Sequence, residues 1–362
     1  MIKITTCIQC KLYPTKYQEK VLATNSKEYI RAVNDVVRSN LDTDEWKKFT
    51  SRHIKANLSG NLRDSVKQDM KSILTTYHKR IKKNMNPTLP LLKKPILKWS
   101  YVGYGVKPNS TLRLQCWDGK AVKILVKTDI LPEQYEQINS GKIGGLRITQ
   151  KNGKWIAQIA ITSPDKPMLE SGGTMGVDLG IKVPAVAYTS DNKVKFFGNG
   201  RMNKYYRRKM LVAKQKMGRS KKLNALRNIK DKERRWMTYQ DHCISKAIVD
   251  FAMENNISLI RMEKLSGIRA TTSTSRKNKG YIHKWSFYRL QNFIEYKAKR
   301  EGIAVEYINP YKTSQICPIC GRINKAEDRH YVCECGYKAH RDIVGAINIM
   351  RVPVIDGNSQ SA

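Results

Sequence analysis

MGVDLGI, residues 175–181, sets a single carboxylate, Asp178, inside an apolar run of strand-forming residues. Two further acids keep similar company. Glu263 closes the apolar strand pattern ISLIRME (257–263), and Asp342 opens the apolar helical pattern DIVGAINIM (342–350). One such acid alone reads as a paired or capping residue, and Asp342 by itself suits a helix N-cap. Three together say more. If the strands bearing Asp178 and Glu263 are neighbours in one sheet and the last helix packs on it, the carboxylates converge where two Mg²⁺ ions bridge a phosphate. The expectation is a centre that cuts phosphodiesters, one ion generating hydroxide and the other stabilising the leaving oxygen.

The sequence around these acids alternates strands and helices. Strand patterns MGVDLGI, AVAYTS and KVKFFG are followed by a long basic helical region to about Arg235, a helix near Ile244 to Asn255 and the strand ISLIRM. A helix from about Ser286 to Gly302, the strand AVEYI, a cysteine cluster and a helix from Asp342 to Met350 complete the series. This order predicts an α/β sheet with an antiparallel start. Upstream, the β-rich runs TLRLQ, AVKILV, GGLRITQ and KWIAQIAIT are separated by Asp118-Gly119, Gly141 and Asn152-Gly153, which predicts a small antiparallel barrel or sandwich. Ser163 to Gly173, with two prolines and two adjacent glycines, reads as a linker. Nearer the start, Thr15 and Gln18 have capping-box spacing ahead of an apolar face of Ile30, Val33, Val37 and Leu41. A second helix carries Leu62, Val66, Met70, Ile73 and Tyr77 and stops where Pro87, Pro90 and Pro95 break the chain.

Cys317-Pro-Ile-Cys320-Gly321, followed after twelve residues by Cys333-Glu-Cys335-Gly336, has the paired-knuckle spacing of a four-thiolate zinc ribbon. Four sulfurs leave no open coordination position, so the site is expected to be structural. The second pair is C-x-C, not C-x-x-C, which leaves His330 or His340 open as a replacement ligand. Cys7-x-x-Cys10 has no second pair nearby and reads as two strand-buried thiols. Disulfides are not expected, because the chain reads as one that stays in a reducing compartment.

The 68 Lys and Arg against 30 Asp and Glu leave a net charge of +38, an excess that calls for a polyanionic partner. It concentrates between Arg201 and Arg235, which hold 15 Lys or Arg and only two acids, Asp231 and Glu233. Arg201, Lys204, Arg207, Arg208, Lys221 and Lys222 are the candidate phosphate contacts there. Lys67, Gln68, Lys71, Thr75 and Tyr77 have the polar and aromatic character to meet a duplex, an ordinary exposed face being the plainer alternative. SGIRATTSTSRKNKG (266–280) reads as a mobile loop beside Glu263 that gates a cleft or contacts a single strand, a disordered tether being the plainer alternative. No run of about 18 apolar residues is present, and MIKITTCIQC has no cationic stretch before an apolar core, so neither a membrane span nor a secretory signal is expected.

MGVDLGI, RMEKLSG and HRDIVGAINI, with YKTSQICPICG and YVCECGY between the last two, resemble the split RuvC-like nuclease domain and inserted zinc ribbon of the TnpB family. These are transposon-encoded, RNA-guided endonucleases related to type V CRISPR effectors. KLYPTKYQEKVL also resembles the family's start, and the likeness is tight after Met175 and loose between Trp46 and Lys166. The resemblance implies a multidomain α/β fold. In it a β-barrel wedge-like domain spans 1–14 and 86–165, a helical recognition lobe 15–85, and a linker 166–173. An RNase H-like (RuvC) nuclease domain spans 174–316 and 336–352, with the zinc ribbon at 317–335 and a disordered tail at 353–362. Asp178, Glu263 and Asp342 fall on the family's catalytic acids, which implies two Mg²⁺ ions there, one structural Zn²⁺ on Cys317, Cys320, Cys333 and Cys335, and a guide RNA. Partners are then the guide and double- and single-stranded target DNA, beside a short flanking motif read by the protein. The setting implied is the cytoplasm and nucleoid of a bacterium or archaeon, with monomer or dimer left open. Two rivals stand beside it. A guide-bound repressor that no longer cleaves has no need of three desolvated acids, and a zinc-ribbon DNA-binding protein leaves them unexplained.

Overall fold

The computed structural model describes residues 4–163, 166–265 and 286–351. Contacts divide the chain into two compact units, Lys3–Pro164 and a second that runs from Asp165. The segment 266–280 and the tail 353–362, both singled out above, lie outside the described residues.

The first unit holds β1 (Ile4–Tyr13), α1 (Lys16–Ser39), α2 (Gly60–Ile81), β2 (Ile96–Trp99), β3 (Tyr104–Lys107), β4 (Thr111–Asp118), β5 (Lys120–Thr128), α3 (Pro132–Ser140), β6 (Lys142–Lys151) and β7 (Lys154–Ser163). Thr15 starts α1 as its spacing suggests. Its hydroxyl accepts from the backbone N–H of Gln18 at 3.3 Å, and the Gln18 side-chain oxygen accepts from the N–H of Thr15 at 3.1 Å, so two orphan donors are satisfied. The strands form one antiparallel sheet in the order β2-β6-β7-β1-β5-β4-β3. The barrel expected here takes the form of a sheet with β2 and β3 outermost. Along β7, Trp155, Ala157, Ile159 and Ile161 alternate inward, and their core is continuous with Leu22 and Val33 of α1 and Val66 and Leu74 of α2. The helical stretch is thus an insertion between β1 and β2 that shares the sheet's core. The two thiols of β1 correct an expectation: Cys10 is buried but Cys7 is exposed, because three residues along a strand reverse the face.

The second unit contains β8 (Gly173–Asp178), β9 (Ala185–Thr189), β10 (Val194–Phe197), α4 (Gly200–Arg219), α5 (Leu223–Ile229), α6 (Lys232–Glu254), β11 (Ile257–Glu263), α7 (Phe287–Arg300), β12 (Ala304–Ile308), β13 (His330–Val332), β14 (Lys338–His340) and α8 (Arg341–Arg351). Its main sheet runs β10-β9-β8-β11-β12, antiparallel as far as β8 and parallel from β8 to β12. Both faces are covered, and the strands divide their side chains accordingly. Met175, Val177, Ile260 and Met262 join Ile248, Leu290 and Ile294 of α6 and α7 in one fully buried core. Each contributes about 1.5–3 kcal/mol relative to exposure. The alternate positions Val186 and Tyr188 pack instead on Ala346 and Ile347 of α8. Period-two alternation therefore turns Asp178 and Glu263, the neighbours of Val177 and Met262, toward α8.

Candidate active site

The register pairs Arg261 with Gly176 and Met262 with Val177, so Asp178 and Glu263 are the next residues on two adjacent parallel strands. Ligands in open α/β sheets bind at this carboxyl end of the strands. α8 brings the third acid, Asp342, in its first turn. The helix comes close because a glycine stands on each side of the contact. A Cβ on Gly176 would stand 2.1 Å from the carbonyl oxygen of Ala346, and one on Gly345 would stand 3.1 Å from Oδ2 of Asp178. Arg261 fixes the far end of the contact, donating from Nε to Glu306 at 2.9 Å and from a terminal nitrogen to the carbonyl of Met350 at 2.7 Å.

Around the acids lies a layer of donors. Glu263 accepts from the Thr313 hydroxyl, and its carbonyl accepts from Nε2 of Gln291 at 2.6 Å. Asn348 of α8 donates to the carbonyls of Thr313 and Ile316, both at 2.7 Å, which holds the segment carrying Thr313 against the helix. Asp342 is buried, its Oδ1 pairs with Arg329, and its Oδ2 has no hydrogen-bond partner. Burial first, then the charges of Glu263 and Asp342, push the Asp178 carboxyl well above the usual carboxylate range. Burial also raises Glu263, against the pull of its Thr313 bond. An orphaned carboxylate oxygen beside mutually repelling acids fits hard divalent cations, which take oxygen donors and relieve both defects. Among the described residues, only the ribbon cysteines close to within 4.8 Å of one another as a metal-ligand set.

Those cysteines are Cys317, Cys320, Cys333 and Cys335, with Sγ separations of 3.7 Å for Cys317 to Cys335 and 3.5 Å for Cys320 to Cys333. Four thiolates around one zinc at 2.3 Å lie about 3.8 Å apart, so the donor set fits that ion, and the C-x-C pair reaches it. Gly321 and Gly336 turn the two knuckles with φ of 72° and 89°. Burial raises the Cys317 thiol, but hydrogen bonds from the Cys320 and Ile319 amides bring it down to about 6, toward the thiolate a metal needs. His330 and His340 pair with each other across β13 and β14 and are not part of the set.

The basic candidates separate. Arg201 and Lys204 line a cavity with Lys182, Arg329 and His340, whereas Arg208, Lys221 and Lys222 are exposed. Arg207 turns inward, where burial lowers its pKa and Glu233 and Asp241 are the neighbouring acids. On α2, Lys67, Gln68, Lys71 and Thr75 share one face; Lys67 pairs with Asp64 at 3.7 Å, Lys71 donates to the Lys47 carbonyl at 2.7 Å, and Tyr77 meets His78 edge-on. Sequence reasoning did not single out Arg329, Thr313 or Gln291. Only Arg329 had a local signal, its place inside the cysteine ribbon ahead of Asp342.

Residues 287–349 match the family model described as the Cas12f1-like TNB domain. The chain is 39% identical over 113 residues to a TnpB-like protein of Methanocaldococcus jannaschii, covering 30% of this chain and 40% of that protein. It is 30% identical over 246 residues to the CRISPR-associated endodeoxyribonuclease Cas12f1 of Sulfoacidibacillus thermotolerans, covering 63% of this chain and 56% of that one. The chain thus spans about half the length of these curated relatives. Among solved structures, the protein of a Cas12f1–sgRNA–target DNA complex superposes with a TM-score of 0.63 at 16% identity, over 96% of this chain and 99% of that one. The mini-RNA-guided endonuclease CRISPR-Cas_phi3 superposes at 0.52 and 10% identity, over 96% and 92%. At these identities the superpositions establish a shared fold. Among the described residues, no helix is long and apolar enough to cross a membrane.

Proposed function

We propose that the chain is a member of the TnpB family, related to the type V CRISPR effectors, and that it is an RNA-guided, Mg²⁺-dependent DNA endonuclease. The observation that carries the reading is the meeting of Asp178, Glu263 and Asp342 at two strand ends and one helix start, in a chain of net charge +38. In this reading the second unit is the RuvC-like nuclease domain with its zinc ribbon, and the first supplies the wedge-like sheet and the helical recognition lobe.

Asp178, Glu263 and Asp342 would hold Mg²⁺, which when bound would supply an activated water and offset charge on the leaving oxygen. The chain's own groups do the rest. Thr313 and Gln291 fix Glu263, α8 sets Asp342 level with the strand ends, and Arg329 adds a cation where phosphate charge grows during cutting. Cys317, Cys320, Cys333 and Cys335 would hold a structural zinc, and the ribbon they close carries Arg329 and leads into α8. Sequence choice falls to base pairing with the guide, so the protein needs only backbone contacts from its basic helices and a short motif read by Lys67, Gln68, Lys71, Thr75 and Tyr77 of α2. The targets are double-stranded DNA and the single strands opened from it, in the nucleoid of a bacterial or archaeal cell.

Asp178→Ala, Glu263→Ala and Asp342→Ala are each expected to lower cutting of guide-matched DNA by at least a thousandfold. Guide-dependent DNA binding should stay near wild type, and double variants should fall little further, because the ligands act as a unit. Cleavage and gel-shift assays with a matched guide check this. A single variant that cuts at near wild-type rate in Mg²⁺ removes these residues from the active site.

A further inference from the structure

We infer that the basic cavity beside Asp342 seats one backbone phosphate of the DNA strand, next to the phosphate being cut. The inference rests on the nuclease reading above and names a contact within that site. The cavity holds about 490 Å³ and is lined by Lys182, Arg201, Lys204, Asp328, Arg329 and His340, among others. That volume is in the range of small-ligand sites, which are mostly apolar. Its lining carries four cations and an imidazole, answered by Asp328 and, through Arg329, by Asp342, and so basic a lining suits an oxyanion and not an apolar guest. The acid is already engaged, since Lys182 donates to Asp328 at 2.5 Å.

The cavity adjoins the catalytic acids through shared residues. Arg329 lines it and pairs with Asp342, and His340 lines it while its Nδ1 accepts from the backbone N–H of Asp342 at 3.3 Å. Lys182 stands in the turn that leaves β8 just after Asp178. The elements that place two of the acids therefore also frame the cavity. Its walls are fixed as well. The ring of Phe196 meets His340 edge-on at 5.4 Å, and Oδ1 of Asn199 accepts from the backbone N–H groups of Arg201 and Met202 at 3.0 and 3.1 Å. Because that cap occupies the first amides of α4, the side chains make the phosphate contact. A strand with one phosphate at the acids places a neighbouring phosphate within reach of Arg201 and Lys204, which seats the strand without reading a base.

The test couples side chain to phosphate. Target DNA carrying one uncharged methylphosphonate, walked along positions flanking the cut, is cleaved by wild type, Arg201→Gln, Lys204→Gln and the charge-keeping Lys204→Arg. Wild type should slow about tenfold at one position and little elsewhere. Lys204→Gln and Arg201→Gln should each lose about tenfold on native DNA and show no further loss at that position, while Lys204→Arg, whatever its rate on native DNA, should keep the position-specific loss. Guide RNA affinity should be unchanged in all four. Losses that multiply at every position, or a fall in guide affinity that assigns the cavity to RNA, overturn the seat while leaving the nuclease intact. Absence of any guided cutting by wild type overturns the nuclease reading and takes the seat with it.

Discussion

Asp178 ionises against opposition. Burial, then Glu263 and Asp342, raise its carboxyl, and Arg341 and Arg329 only partly offset them; burial raises Glu263 too. A folded-state pKa above the unfolded value means that the native chain holds more protons than the unfolded chain in that window. The associated stability is complete below the ordinary carboxylate range and is lost as pH rises through the raised values. In magnesium-free buffer with zinc retained, melting temperature is therefore expected to fall as pH climbs from the acid range toward neutral. Asp178→Asn should flatten that slope and raise the neutral-pH Tm by about 2–4 °C, and adding Mg²⁺ to wild type should have the same sign. Thermal melts across a pH series check this; an Asp178→Asn melt below wild type at neutral pH contradicts the crowded-charge account. The three acids were legible because acids are scarce here and these interrupt apolar patterns. Arg329 was not, being one of 68 basic residues, and the Thr313 bond to Glu263 joins positions 50 apart that only the fold brings together.

At the scale of elements, local chemistry was readable and long-range pairing was not. The Thr15 and Gln18 box starts α1, and the read strands ISLIRM and AVEYI appear as β11 and β12. α3 was not foreseen, since it buries Ile138 alone and offers no apolar period. The ladder order of the first sheet joins β1 to β7 and β5, pairings that span most of the unit and leave no local trace. The ribbon makes its own prediction. Zinc is expected at one ion per chain by elemental analysis, and its removal should unfold the ribbon and abolish cutting through the short step from Cys335 to Asp342. Cys335→Ser should lose the ion. Full zinc in Cys335→Ser together with its loss in His330→Ala would reassign the fourth ligand against the sulfur geometry.

For the whole molecule, charge and composition pointed to a polyanion but not to which one. A surplus of +38 is expected to give salt-dependent binding to DNA and RNA alike, with affinity falling by a log–log slope of about −0.7 to −0.9 per phosphate neutralised. Guidance by RNA is what separates the proposed enzyme from a protein that reads DNA itself. The most direct measurement is to load the chain with RNAs that differ only in the variable guide end and map the cuts in one DNA carrying both matching sites. Each RNA should direct cutting in Mg²⁺ to its own match and nowhere else, and RNase treatment before loading should abolish it. Cuts that stay at one site whichever RNA is loaded, or that survive RNase treatment, would contradict the account.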